Sequence, residues 1–173
     1  PVGKDQMQHI EITRDVASRF NHQMGETFVI PEGKVQEETM YVPGTDGFKM
    51  SKSRGNIINI FLEDKALRKQ IMSIETDSTP LEEPKNPDTC KIFAIYKLVA
   101  TAEQIAEMKV KYANVTRDFG YGHAKQALFE LILERFKTER EKYNYYMNNL
   151  NEVDELLKQG ATKAGIIADG VLN

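Results

Sequence analysis

Cysteine is almost absent from this sequence, and tryptophan is missing altogether. The single cysteine, Cys90, excludes an internal disulfide and any metal site built from several cysteines. The histidines His9, His22 and His123 are scattered along the chain, so they offer no ligand set for a structural zinc ion. No apolar run approaches the ~20 residues that cross a bilayer, and no signal-peptide pattern is present. We therefore expect a cytoplasmic protein with no membrane partner and no metal held by its own side chains.

An excess of positive charge is also lacking. The 23 lysine and arginine residues are outnumbered by 26 acidic residues, and the formal net charge is −3. We therefore exclude a globally basic, DNA-binding protein, and any contact with RNA must come from local patches. The proportions of hydrophobic residues (40%) and charged residues (28%) are ordinary for a globular protein. Because the chain opens on Pro1 rather than on methionine, we expect it to be a piece of a longer protein.

Residues 1–75 are expected to form the end of an α/β domain. Short β-like runs at 27–30 and 40–42 follow a stretch whose apolar residues recur every four positions, which is typical of a helix. The residues of this apolar face are Ile12, Val16 and Phe20.

The remainder of the chain reads as a linker followed by an all-α bundle. Residues 76–87 contain three prolines among acids and hydroxyls, which predicts an irregular connection. Residues 88–173 carry helical spacing almost throughout, and Thr101 with Gln104 forms a capping box that predicts a helix start. The longest helix is expected from Gly122 to Leu150, with its apolar stripe fully used by the core.

The most informative stretch is Lys49-Met50-Ser51-Lys52-Ser53, which follows a glycine-rich turn. Two lysines three residues apart in a loop can reach one anionic group from two directions. The serine hydroxyls and exposed backbone N–H groups can donate to phosphate oxygens. From Gly47 to Leu62 the sequence has three cations and no acid. The pattern predicts a clamp for a polyphosphate, and the alternative from the residues alone is a solvated basic loop.

A second candidate site lies in the opening residues Pro1-Val2-Gly3-Lys4-Asp5-Gln6. A glycine at the carboxyl end of a strand, followed by a helix start, is where α/β sheets hold nucleotides. A carboxylate at that place can accept hydrogen bonds from both hydroxyls of a ribose. The alternative is that Asp5 caps the helix and Gln6 lies on the surface.

Together these two stretches resemble the class I aminoacyl-tRNA synthetases, whose second signature is KMSKS. The G-x-D-Q opening resembles the tryptophanyl-tRNA synthetases in particular, and so do Thr76-Asp77-Ser78 and Gly120-Tyr121-Gly122. The resemblance covers nearly the whole chain. It implies the end of a Rossmann-like catalytic domain followed by a helical domain that approaches the tRNA anticodon. The implied activity is the activation of tryptophan by ATP and its transfer to tRNA(Trp). The alternatives are a tyrosyl-tRNA synthetase and a non-catalytic tRNA-binding fragment.

The resemblance also assigns roles to individual residues. Lys49 and Lys52 are the implied catalytic residues, which would stabilise the leaving pyrophosphate with the assistance of Mg²⁺. Gln6 is implied to lie near the amino acid. The implied ATP-binding residues are Gly3, Lys4, Asp5, Met40, Lys49, Met50, Ser51, Lys52 and Ser53. The candidate tRNA-binding residues are Lys125, Lys137 and Lys142, which are expected on an exposed face of the long helix, and Tyr145. The full enzyme is implied to be a homodimer. The first signature and the amino-acid pocket are expected to precede Pro1, so we expect the isolated chain to be inactive.

Overall fold

The computed structural model describes residues 1–35, 42–114 and 119–172, and the side chains of Asp5 and Leu172 lie outside that description. A 3-10 helix at Lys4–Gln6 leads directly into the first α-helix. The α-helices are α1 (Met7–Met24), α2 (Asp64–Met72), α3 (Lys91–Val99), α4 (Ala102–Ala113), α5 (Tyr121–Arg135), α6 (Lys137–Asn148) and α7 (Leu150–Leu172). Within these ranges, no helix combines the length and the apolar character needed to cross a membrane.

The prediction of an α/β fold for residues 1–75 is wrong. The described ranges contain no β-sheet, and their strand-like geometry is limited to an isolated antiparallel bridge between Pro43 and Lys49. The run 27–30, which was expected to be a strand, is irregular backbone. A short β-like run becomes a strand only where a neighbouring strand pairs with it, and residue propensity does not reveal whether that neighbour exists. Of the second run, residues 40–41 lie outside the described ranges.

The segment that follows α1 folds back along this helix. The side chain of Asn21 accepts the N–H groups of Thr27 (3.1 Å) and Phe28 (2.9 Å), and it donates to the Phe28 carbonyl oxygen (2.7 Å). The Arg14 guanidinium donates to the carbonyl oxygen of Pro31 at 2.6 Å. Phe28 of this segment packs on Phe20, with ring centroids 4.8 Å apart, but the other two residues of the apolar face of α1, Ile12 and Val16, stay exposed.

The hydrophobic core is built from α2, α3, α4 and α5, and α5 packs against both α2 and α3. The most deeply buried side chains include Leu67, Ile71, Phe93, Tyr112, Leu128 and Ile132. Cys90 is buried, with its thiol 3.3 Å from the Tyr112 hydroxyl. Residues from both sides of the expected linker 76–87 contribute to this core. The division of the chain into domains stays a prediction.

The expected long helix from Gly122 to Leu150 is divided in two. Phe136 leaves helical geometry (φ −108°, ψ 19°), so that α5 ends one residue before it and α6 begins one residue after it. Beyond the bend, Arg140 donates to the Ile60 carbonyl oxygen and to the Asp64 carboxylate, which fixes α6 against the start of α2. The predicted apolar stripe is therefore not fully used by the core. Its exposed members are Tyr143, Met147 and Leu150.

Candidate phosphate-binding loop

The loop that carries the lysine-rich signature closes into a tight turn. The Gly44 N–H donates to the Phe48 carbonyl oxygen at 2.7 Å, and the Met50 N–H donates to the Val42 carbonyl oxygen at 2.8 Å. Gly47 has a φ of 82°, a left-handed conformation that glycine adopts without steric cost. The signature therefore begins on the returning arm of this turn.

The side chain of Asn56 holds the signature from inside the turn, where only 3% of the residue is exposed. Its Oδ1 accepts the Ser51 N–H at 2.8 Å. Its Nδ2 donates to the Lys49 carbonyl oxygen at 3.1 Å and to the Asp46 carboxylate at 2.7 Å. Its backbone oxygen accepts the Thr45 N–H at 3.0 Å. The buried carboxamide is therefore fully hydrogen-bonded, as a polar group removed from water requires. No sequence pattern marks this residue.

Asp46 is the second anchor of the turn. Its Oδ1 also accepts the Phe48 N–H at 3.0 Å, and its Oδ2 lies 3.7 Å from a guanidinium nitrogen of Arg54. The hydrogen bond from Asn56 is the main reason why the pKa of Asp46 is lowered, although burial acts in the opposite direction. Asp46 is therefore held as a carboxylate, and it can only accept hydrogen bonds at neutral pH.

The signature residues differ in exposure: Lys49, Lys52 and Ser53 are exposed, Ser51 is half-buried, and Met50 packs against the hydrophobic core. The Ser51 and Ser53 hydroxyl oxygens lie 3.2 Å apart. Gly55 ends the stretch with a φ of 68°. Two ammonium groups and two hydroxyls thus lie within five residues of an anchored backbone. This set of donors suits the oxygens of a polyphosphate.

The opening residues form a helical turn and not the end of a strand within a sheet. The Gly3 carbonyl oxygen accepts the Gln6 N–H at 2.9 Å, and the Val2 N–H donates to the Lys34 carbonyl oxygen at 3.0 Å. Lys4 and Gln6 are exposed. The Asp5 side chain and Met40 lie outside the description, so the contacts expected of them with ribose and adenine stay predictions.

The candidate tRNA-binding residues differ in their surroundings. Lys125 was expected on an exposed face, and this expectation is corrected. Its ammonium group is partly buried and donates to the Met72 carbonyl oxygen at 2.9 Å, and burial lowers its pKa. Tyr145 is exposed, but its hydroxyl donates to the Glu152 carboxylate at 2.7 Å. The remaining two, Lys137 and Lys142, are exposed.

A cleft of about 510 Å³ is lined by the segment that follows α2 and by residues at the starts of α3 and α5. Two of its lining residues are joined, since the Tyr121 hydroxyl donates to the Asp77 carboxylate at 2.7 Å. Burial, and then the contact with Asp77, raises the pKa of Tyr121 to about 12. The Glu75 N–H donates to the Thr45 carbonyl oxygen at 2.9 Å, which connects the cleft to the signature loop. The residues that line the cleft are Glu75, Thr76, Asp77, Thr89, Cys90, Lys91 and Tyr121.

Lys85 stands beside this cleft as an unusual buried cation. Only 5% of the residue is exposed. Its ammonium group donates to the carbonyl oxygens of Pro80 (2.8 Å), Leu81 (3.2 Å) and Glu83 (2.9 Å). A buried ammonium is tolerated because its donors are all used. The expected linker is therefore organised around one lysine, which the sequence analysis did not single out.

Comparisons with known families, sequences and structures all point to tRNA synthetases. The family model described as tRNA synthetases class I (W and Y) matches residues 1–137. The tryptophan–tRNA ligase of Fusobacterium nucleatum is 51% identical over 169 residues, which cover 97% of this chain and 51% of that protein. A crystal structure of tryptophanyl-tRNA synthetase from Campylobacter jejuni, complexed with ADP and tryptophan, is 49% identical. Its TM-score is 0.79, and the match covers 95% of this chain and 51% of that one. The tryptophanyl-tRNA synthetase of Aeropyrum pernix is more distant (26% identity, TM-score 0.62), with 82% and 39% covered. The chain thus spans about half the length of the bacterial relatives.

Proposed function

This chain belongs to the family of class I tRNA synthetases for tryptophan and tyrosine, and we propose that it forms the carboxyl-terminal part of a tryptophan–tRNA ligase. The observation that carries the proposal is the anchored loop bearing two exposed lysines and two hydroxyls. The identity of 49–51% to tryptophan–tRNA ligases favours tryptophan over tyrosine as the amino acid. The activity proposed is that of the whole protein, because this chain spans about half of those relatives.

The first proposed step joins tryptophan to ATP. The tryptophan carboxylate attacks the α-phosphorus, the bond to the β-phosphate oxygen breaks, and tryptophanyl-adenylate and pyrophosphate result. Negative charge grows on the departing pyrophosphate during this displacement. Lys49 and Lys52 would stabilise that charge, and the Ser51 and Ser53 hydroxyls would donate to the phosphate oxygens, with Met50 as a further contact to ATP. The Campylobacter jejuni relative was crystallised with ADP and tryptophan, which supports both ligand classes.

The opening turn is proposed to bind the parts of the substrates that the signature loop does not contact. Gly3, Lys4 and Asp5 would contact the adenosine ribose, Met40 would contact adenine, and Gln6 would lie near the amino acid.

The described residues contain no group of three or more His, Cys, Asp or Glu side chains that could hold a metal ion. Mg²⁺ would therefore bind through the phosphate oxygens of ATP, which are ligands that it prefers.

The second proposed step transfers tryptophan to the 3′ end of tRNA(Trp). Helix α6 would contribute to tRNA binding through the exposed ammonium groups of Lys137 and Lys142, with Tyr145 as a surface for stacking. We also propose that the full-length protein is a homodimer and lies in the cytoplasm. Membership of the family supports the homodimer, and the role of tRNA charging in protein synthesis supports the cytoplasmic location.

Amino-acid-dependent exchange of pyrophosphate into ATP tests the proposal in the full-length protein. We expect exchange with tryptophan and at least about 100-fold less with tyrosine, since the binding site for one aromatic side chain rejects a poorly matched one. Exchange with tyrosine alone would identify the tyrosine enzyme instead. Exchange with neither amino acid would favour a non-catalytic tRNA-binding protein. The 173-residue chain alone serves as the negative control.

A further inference from the structure

The signature is held in place by a side chain that lies outside it. Asn56 contacts the backbone on both sides of Met50, through the Lys49 carbonyl oxygen and the Ser51 N–H. It also contacts the Asp46 carboxylate at the tip of the turn. One carboxamide therefore joins the tip to the returning arm and fixes the backbone from which the first signature lysine projects.

The surrounding backbone fits closely around this side chain. A Cβ atom added at Gly44 would lie 2.3 Å from the Asn56 Nδ2, so that only glycine leaves room for the carboxamide. The N–H of Thr45 next to it donates to the Asn56 carbonyl oxygen. An exchange of the carboxamide oxygen and nitrogen would place the NH₂ group against the Ser51 N–H and the oxygen against two acceptors. Its NH₂ must face two acceptors, and its oxygen must face a donor.

We propose that Asn56 is a positioning residue for amino-acid activation: its buried carboxamide holds Lys49 and Ser51 where the phosphate-binding loop needs them. Preorganised donors stabilise a developing charge most effectively because no reorganisation is required when the bond breaks. Asn56 itself does not contact the phosphates, and it acts through the backbone of the signature. The inference rests on the proposed function, since it deepens the role of the same loop.

Replacing Asn56 by aspartate is the sharpest test, because the two side chains have nearly the same shape. The change places an oxygen where the NH₂ group faces the Asp46 carboxylate and the Lys49 carbonyl oxygen. Three hydrogen-bond acceptors, the new carboxylate oxygen and these two oxygens, would then face one another with no hydrogen atom between them. The double variant Asp46→Asn/Asn56→Asp restores a donor and an acceptor between these two side chains. The recovery is partial, because the Lys49 carbonyl oxygen still faces an oxygen and the Phe48 N–H loses its carboxylate acceptor. Asn59→Ala is the matched control, since Asn59 is an exposed asparagine that accepts only the Phe61 N–H through its side chain.

In full-length protein, tryptophan-dependent pyrophosphate exchange should fall about 100-fold in Asn56→Asp and about tenfold in Asn56→Ala. The KM for tryptophan should stay within about twofold of wild type. The double variant should recover at least about tenfold relative to Asn56→Asp, and Asn59→Ala should match wild type. Recovery by exchange of the two side chains is a result that a general loss of folding does not produce.

Two kinds of result would overturn the inference. One is activity of Asn56→Asp equal to that of Asn59→Ala. The other is a loss of tryptophan binding that parallels the loss of exchange, without recovery in the double variant. Either result leaves the proposed function intact if the wild-type protein carries out tryptophan-dependent exchange. Absence of that exchange in wild type contradicts the proposed function itself.

Discussion

Replacing Lys85 by methionine is expected to destabilise this chain by about 3 kcal/mol. Methionine keeps most of the side-chain volume but removes the ammonium group that bonds the carbonyl oxygens of Pro80, Leu81 and Glu83. Hydrogen bonds to a charged group each contribute about 1.5–3 kcal/mol, and the cost of burying the ammonium offsets part of their sum. For a domain of this size, the loss corresponds to a fall in Tm of about 6–12 °C.

Thermal unfolding of the 173-residue chain, followed by circular dichroism, measures this effect. Lys109→Met is the matched control, because Lys109 is an exposed lysine on α4 and its replacement should change stability by less than about 0.5 kcal/mol. A Tm of Lys85→Met within about 2 °C of that control would refute the reasoning. The three carbonyl oxygens would then be equally well satisfied by water.

Three further predictions concern the opening turn, helix α6 and the cleft. Asp5→Ala should raise the KM for ATP and leave tryptophan affinity unchanged, because ribose binding is the same in the ground state and the transition state; a lower Tm with unchanged KM would support a helix-capping role instead. Charge reversal at Lys137 and Lys142 should weaken tRNA charging and leave pyrophosphate exchange intact, and a parallel loss of both would contradict a tRNA contact. Tyr121→Phe should raise the pKa of Asp77, which hydrogen bonds from Thr79 and then Tyr121 now lower. Because a depressed carboxyl pKa stabilises the fold above the unfolded-state value of 3.8, the variant should lose stability near neutral pH and match wild type in acid, as pH-dependent melts and carboxyl NMR titration would show.

Helices were predicted well where their signals are local. The spacing of Ile12, Val16 and Phe20 predicted α1, and the capping box at Thr101 and Gln104 is present with both of its hydrogen bonds. The break at Phe136 was not predictable in this way. The contacts that hold α6 beyond the break, from Arg140 to Ile60 and Asp64, join residues that lie far apart in the sequence.

The signature loop was recognised from its lysines and serines, but the residues that hold it were not. Asn56 looks like an ordinary polar residue of a loop, because the sequence does not show that its side chain turns inward. Lys85 was passed over for a related reason, since lysines are rarely buried and only the folded carbonyl oxygens explain this one. The expected strands failed because strand formation depends on a pairing partner.

The central claim is that Lys49 and Lys52 stabilise the pyrophosphate that leaves during tryptophan activation. Pre-steady-state formation of tryptophanyl-adenylate by the full-length protein tests it most directly, with Lys49→Ala and Lys52→Ala compared with Lys109→Ala. We predict a rate about 100-fold lower in each loop variant, equivalent to roughly 3 kcal/mol of transition-state stabilisation, with tryptophan binding unchanged. Adenylate formation within about twofold of wild type in both loop variants would contradict the claim.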